Sequence, residues 1–374
     1  MKKIVSLILV LTLIMTALVG CSKPDETKDN PEPPVTQPED QDNDQDSSAE
    51  GGKIAKLGLG QNISIASSKD ADGNDVLALG QADVTMAAVG FDADGKVASV
   101  SIDVVQAKTP YDKDLKISAD IDAPVKSKKE LGPDYNMKPA SAIGKEWFEQ
   151  MDAFEEWMIG KSVDEIKNLK VTQKDEHHTH IPDVPELTSS VTMTVQDYIA
   201  AVAEAWDNAV DATGAEKVGL GVSSSIASSK ELGTDKDGKE VLPVAQSDTN
   251  MAAMAFDKDG KVVAAIVDTA QVKINFDKEG KVTSDAAAEY KTKHELKEDY
   301  NMKNASPIKK EWYEQMNAFQ EWMIGKTADE ITGLKVKEND HGPGIPDVPE
   351  LTSSVTISVS SYLDVVGKAA ANAK

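Results

Sequence analysis

The sequence predicts an α+β fold built from two tandem copies of one domain. Three observations carry this. Long strings recur at a fixed offset: Lys145–Lys161 reads KEWFEQMDAFEEWMIGK and Lys310–Lys326 reads KEWYEQMNAFQEWMIGK. Valine-rich runs, Val84–Phe91 and Lys96–Val105, flank Asp92-Ala93-Asp94-Gly95, a turn signal that makes them a hairpin. Trp147, Met151, Phe154 and Met158 recur at three- and four-residue spacing, which places them on one helical face.

The elements follow in order. Residues 1–21 read as a lipoprotein signal peptide: Lys2 and Lys3, an apolar run from Ile4 to Val19, and Leu18-Val19-Gly20-Cys21 resembling a bacterial lipobox. The Cys21 thiol would then be lipidated and become the mature N-terminus. It is the single cysteine of the chain, so internal disulfides, thiol metal sites and cysteine nucleophiles are excluded from the exported part. Residues 22–53 are dense in Pro, Asp, Glu, Gln and Asn. Such a segment cannot bury enough apolar surface to offset its ordering entropy, and is expected to be a disordered acidic linker. As a coil it would reach on the order of 30 Å.

Copy one then runs over 54–211 and copy two over 215–374, each long enough for a complete domain. After the hairpin comes a loop holding Glu130, Leu131, Tyr135 and Met137, repeated as Glu295, Leu296, Tyr300 and Met302. The KEW helix follows, with Gly160 suited to a left-handed cap and Ser306-Pro307 suited to starting the second copy's helix. Ser162-Val163-Asp164-Glu165 and Thr327-Ala328-Asp329-Glu330 are capping boxes that open a further helix. An alanine-rich helix, Val195–Ala209, closes the first copy. The copies are expected to follow one another as beads.

Net charge is −24, and all 40 basic residues are lysine. This balance opposes nucleic acid and anionic lipid, and without arginine there is no bidentate fork for a phosphate. A phosphorylated ligand must be held by backbone N–H groups, lysines, hydroxyls or a covalent bond.

One string is identical in both copies: IPDVPELTSSVT, at Ile181–Thr192 and Ile345–Thr356. Val191, Met193 and Val195 alternate with Thr192 and Thr194, and Val355, Ile357 and Val359 with Thr356, Ser358 and Ser360. If extended, this puts Thr192 and Thr356 outward, close to the free N–H groups of a helix start that favour an anion. An amphipathic edge strand leading into a helix N-cap accounts for the same pattern.

The string resembles the flavin-attachment motif of the FMN-binding domain family. Those domains carry Ser/Thr-Gly-Ala-Thr, usually with an acidic residue three positions earlier, and a dedicated FMN transferase joins the FMN phosphate to the final threonine as a phosphoester. Ser189-Ser190-Val191-Thr192 and Ser353-Ser354-Val355-Thr356 occupy the motif, with Glu186 and Glu350 at the acidic position. Ser190 and Ser354 stand where the family has glycine, and Val191 and Val355 where it has alanine. The resemblance implies two tandem FMN-binding-type domains with two covalent FMN groups on Thr192 and Thr356.

The wider pattern, a lipobox, an acidic spacer and paired Lys-Glu-Trp and Ser-Ser-Val-Thr segments, resembles doubly flavinylated lipoproteins of Gram-positive bacteria. It implies a carrier, more than a turnover enzyme, held to the bilayer through Cys21 on the outer face of the cell membrane. Electrons would come from a membrane NADH dehydrogenase and quinol and go to extracellular acceptors such as ferric iron. In that group the end of the signal peptide, here about Leu13–Gly20, can also be released as a peptide pheromone. The resemblance further implies that the loop of Tyr135, Met137, Tyr300 and Met302 contacts flavin; a loop anchored in the domain core fits the same residues.

Trp147, Trp157, Trp312 and Trp322 read as core, and Lys145 and Lys310 as solvated helix lysines. His177, His178 and His180 have only His341 opposite them in copy two and give no metal-ligand spacing, so no metal site is expected. Asp70, Asp72 and Asp75 lack the rest of a calcium loop and read as turns. The rival reading, from another class, is a non-redox surface lipoprotein that binds a solute or a protein.

Overall fold

A computed structural model describes residues 53–374 apart from 74, 176, 177, 340 and 341. The signal peptide, Cys21, the pheromone segment, nearly all of the spacer, His177 and His341 lie outside the described residues. Copy one begins with β1 (Lys56–Ser64), β2 (Leu79–Phe91) and β3 (Val97–Pro110). It continues through α1 (Lys128–Leu131), a 3-10 turn (Gly132–Tyr135), α2 (Trp147–Met158) and α3 (Val163–Lys167). The pair β4 (Val171–Thr172) and β5 (Ile181–Pro182), then α4 (Gln196–Asp207) and β6 (Val210–Asp211), complete it.

Copy two repeats this course. It has β7 (Lys217–Ser225), a small pair β8 (Gly233–Thr234) and β9 (Glu240–Val241), then β10 (Val244–Phe256) and β11 (Val262–Asn275). Next come α5 (Lys293–Leu296), a 3-10 turn (Lys297–Tyr300), α6 (Trp312–Met323) and α7 (Ala328–Thr332). It ends with β12 (Val336–Asn339), β13 (Gly342–Pro346) and α8 (Ser360–Ala371).

The main sheets are antiparallel, in the orders β3-β2-β1-β6 and β11-β10-β7. Each is covered on one side by helices of its own copy. The other sides face each other. Along β2, Ala87, Val89 and Phe91 point to Trp147, Met151, Phe154 and α4, while Val84, Met86 and Ala88 join Val218, Leu220, Met251 and Ala253 of the other copy in a shared core. The order is therefore helix, sheet, sheet, helix. Full burial of one Val or Met in that middle layer contributes roughly 1.5–3 kcal/mol.

The copies are thus not beads. They pack sheet on sheet, and their rim contacts are exchanged like those of an isologous pair. Ala71 N–H donates to Gly280 O at 2.9 Å, Lys281 Nζ to Ala71 O at 2.6 Å, and Val282 N–H to Asp70 Oδ1 at 2.8 Å. The converse set is Leu232 N–H to Leu115 O at 3.1 Å, Lys116 Nζ to Leu232 O at 2.6 Å, and Ile117 N–H to Glu231 Oε1 at 2.8 Å.

Glycine lets the last helix of each copy lie on its sheet. A Cβ on Gly60 would stand 2.0 Å from the carbonyl oxygen of Ala201, and one on Gly221 would stand 1.8 Å from that of Val365. The expected hairpins, the Ser162 and Thr327 capping boxes and the buried face of the KEW helix are all present. The helix start differs. Ser306-Pro307 lies in a turn ahead of α6, and Glu146 and Glu311 cap α2 and α6 through reciprocal bonds with Glu149 and Glu314.

Candidate functional site

The repeated string is not an edge strand. Beyond Ile181-Pro182 it coils through turns, with Thr188 N–H on Val184 O and Val191 N–H on Leu187 O. The valine alternation reflects that coil: Val191 and Val195 are buried in the core beneath α4, and Thr192 is half-buried above them. Copy two repeats the arrangement with Val355, Val359 and Thr356.

A buried glutamine sets each threonine. Thr192 N–H and Oγ1 donate to Gln150 Oε1 at 2.9 and 3.3 Å, and Thr356 N–H and Oγ1 to Gln315 Oε1 at 2.8 and 3.2 Å. The glutamine cannot be turned over. Its Nε2 is fixed by acceptors, Ser141 Oγ and Lys145 O in copy one, Ser306 Oγ and Lys310 O in copy two. A threonine whose one hydroxyl proton is directed at glutamine keeps its oxygen lone pairs for another partner.

Beside Thr356 opens a cavity of about 470 Å³, within the roughly 300–1,000 Å³ of small-molecule sites. Tyr300, Met302, Trp312, Ile345 and Ile357 give it apolar wall, and Asp248, Asn250, Gln271 and Lys293 give it polar points. Three expected residues, Thr356, Tyr300 and Met302, meet there. The others do not. Val355 is core, Ser354 Oγ bonds back to Leu351 O, and Ser353 is exposed. Glu295 caps α5 by accepting from Thr292 N, and Leu296 is half-buried away from the cavity.

The first copy holds the same partners. Tyr135 OH bonds Gln106 Oε1 at 3.3 Å, Glu130 caps α1 through Ser127 N, and Met137 N–H is held by Glu146. Leu131 is half-buried, Val191 is core, Ser190 Oγ bonds Leu187 O and Ser189 is exposed. Trp147 Nε1 donates to Tyr198 OH at 3.0 Å, as Trp312 Nε1 does to Tyr362 OH at 3.2 Å. Both tryptophans are therefore structural, and Trp312 also forms cavity wall. Trp157 and Trp322 stack on Phe154 and Phe319.

Sequence reasoning missed the lysine of the site. Lys128 Nζ sits 4.8 Å from the Tyr135 ring centre and 5.2 Å from that of Trp147; Lys293 sits 5.1 and 5.7 Å from Tyr300 and Trp312. Burial pulls the Lys128 ammonium down to about 8, with Asp83 and Asp103 opposing. At Lys293 burial pulls the same way but Tyr362, Tyr300 and Asp248 outweigh it, so this ammonium is held above its ordinary value. Behind the lysines, burial raises the carboxyls of Asp103 and Asp268 to about 6, though each accepts backbone N–H bonds at the start of α1 or α5. The glutamines were also missed, although a glutamine inside an otherwise apolar helix face, repeated in both copies, was a readable signal.

The donor set fits a flavin phosphoester. It offers a lone-pair-bearing hydroxyl at the cavity edge, a flat apolar wall of ring and thioether, and a lysine. In copy one Thr194 Oγ1 is buried without a partner, and its counterpart Ser358 lines the copy-two cavity. A larger cavity of about 700 Å³ lies at the junction of the copies, far from the repeated string in its lining; its Glu155 is already paired with Lys129 and Lys374. His178 contacts Asp175, His180 contacts Thr179, and Asp70 is engaged at the rim. Among the described residues no group of three or more His, Cys, Asp or Glu is placed to hold a metal, and no helix is long and apolar enough to cross a membrane.

No family model matches the chain, and no solved structure matches it. A stretch of 96 residues is 34% identical to the chlorophenol reductase of Desulfitobacterium hafniense, covering 23% of this chain and 29% of that protein. The chain therefore spans less than a third of the length of this relative, and the similarity points to redox function at the most.

Proposed function

We propose that the protein is an extracytoplasmic electron carrier that holds two FMN groups, one esterified to Thr192 and one to Thr356. The observation that carries the reading is the Thr356 hydroxyl, oriented by Gln315 at the edge of a cavity walled by Tyr300 and Met302. FMN supplies one- and two-electron transfer. The chain's residues do the rest. Gln150 and Gln315 present the hydroxyls to an FMN transferase, Tyr and Met pack the ring, and Lys128 and Lys293 place positive charge near it. A covalent link retains the group outside the membrane without the arginine clamp that this chain lacks. The partial likeness to a reductase agrees with redox work. On this reading Cys21 tethers the chain to the bilayer, a membrane NADH dehydrogenase and quinol supply electrons, and ferric iron or other small oxidants accept them.

Intact mass of protein made with and without an FMN transferase tests the reading. Two FMN less two waters are expected with the enzyme and none without it. Colourless protein of unmodified mass from the transferase host would contradict it, and a bound solute in that protein would favour a non-redox binding role.

A further inference from the structure

We propose that the two sites are tuned apart, with the copy-one cofactor the stronger reductant, and that Asp197 is the residue that separates them. This rests on the flavin reading above. The frames around the two threonines match, so the charges around them can be compared position by position. Copy one places Asp83 and Asp197 within electrostatic reach of each other and of Lys128. In copy two Asp248 and Lys293 remain, but the position of Asp197 is taken by Ser361, which lines the cavity. Setting aside Asp103 and Lys108, which both copies share as Asp268 and Lys273, two carboxylates face the copy-one ammonium and one faces its copy-two counterpart.

The charged difference beside Lys128 does not cancel this. Copy one has Lys129 where copy two has His294, yet Lys129 is neutralised at 2.6 Å by Glu155, whose counterpart is the uncharged Gln320. Asp103 and Lys108, which also face Lys128, have the counterparts Asp268 and Lys273. His180 lies near Asp197 where copy two has Gly344, so its protonation at acidic pH would offset the carboxylate.

A group that gains electrons gains negative charge, and a carboxylate at the solvent-facing edge of the site, as Asp197 is, opposes that gain. An electron pair leaving a reduced copy-one flavin for an oxidised copy-two flavin would thus run downhill. Lys128 acts in the same direction. Its ammonium loses its proton as pH rises through about 8, and Asp83, Asp103, Lys108 and Asp197 are the charged groups facing it. The gap between the sites is expected to widen there.

Spectroelectrochemical titration at pH 7.5 of flavinylated T356V, which keeps copy one, and T192V, which keeps copy two, tests this. Copy one should show the lower midpoint. D197S in the first should raise it towards copy two, and S361D in the second should lower it. Flavin present on both threonines by mass but with equal midpoints, or with no response to D197S, would overturn the proposal alone; absence of flavin by mass would instead remove the reading beneath it. A second readout needs no flavin. In unloaded protein D197S should lower the titration point of Lys128 seen by NMR and leave Lys293 unmoved, and an unchanged Lys128 would remove Asp197 from the site.

Discussion

Copy one and copy two share a frame and differ at its margins. Both hold a threonine on a buried glutamine, a tryptophan on a tyrosine and a lysine over two rings. The margins diverge in charge. Lys368 of α8 reaches across to Glu130 at 2.7 Å, whereas its counterpart in α4 is Glu204, which has Glu295 nearby instead. Burial first, then Glu295 and Asp268, push the Glu204 carboxyl up to about 7. The unvaried parts orient one hydroxyl. The varied parts adjust the electrostatics of a duplicated unit without disturbing that orientation.

The frame should be the more fragile of the two. Gly221→Ala would put a methyl 1.8 Å from the Val365 carbonyl oxygen and lift α8 off its sheet. A loss of about 4 kcal/mol in urea unfolding is expected, at the upper end of single-residue effects. A loss below about 1 kcal/mol would mean that the helix rests on the sheet less closely than described.

Buried carboxyls come next, and both copies contribute. Asp103 and Asp268 go from about 6 in the fold to 3.8 unfolded, so the fold binds the extra proton. Each therefore contributes stability that is fully present below pH 3.8 and is lost as pH rises through about 6. Melting temperature should rise on going from pH 7 to pH 5, and D103N or D268N should each flatten that slope. A melting temperature that falls over this window in the native protein would break the account of these groups.

How much of this could be read beforehand follows from the residues. The hairpins and the Ser162 and Thr327 boxes were legible because turn and capping chemistry is local. Glu146 as a cap was not, since Ser306-Pro307 offered a more usual start and the rescue comes from Glu149. The bead arrangement was wrong although the near-continuous apolar run of Val84–Phe91 was a sign of burial on both faces. Repetition singles out Thr192, but the pleat that would turn it outward is absent: the string coils through turns and leaves it half-buried. Lys128 and Lys293 were invisible, because their burial comes from Tyr135, Trp147 and their counterparts, which fold back from later in the chain.

Removing the glutamine from one copy alone separates frame from margin. Q315L leaves the Thr356 N–H without its acceptor, costing about 1–3 kcal/mol, and should abolish the copy-two adduct while sparing Thr192. Equal loss at both threonines by peptide mapping would show that the copies are not independent. The smallest effects belong to the rim. K368M should cost below about 1 kcal/mol, as a partly exposed pair does. E204Q, which removes the like charge beside Glu295 and keeps an acceptor for the Gln61 N–H, should add stability of similar size, and a loss there would contradict the placement of Glu204 beside Glu295.

The most direct test is intact mass of the native protein, T192V and T356V, each produced with an FMN transferase. Two adducts on the native chain and one on each variant are expected. An unmodified native mass, or two adducts retained on either variant, would contradict the assignment of the two hydroxyls.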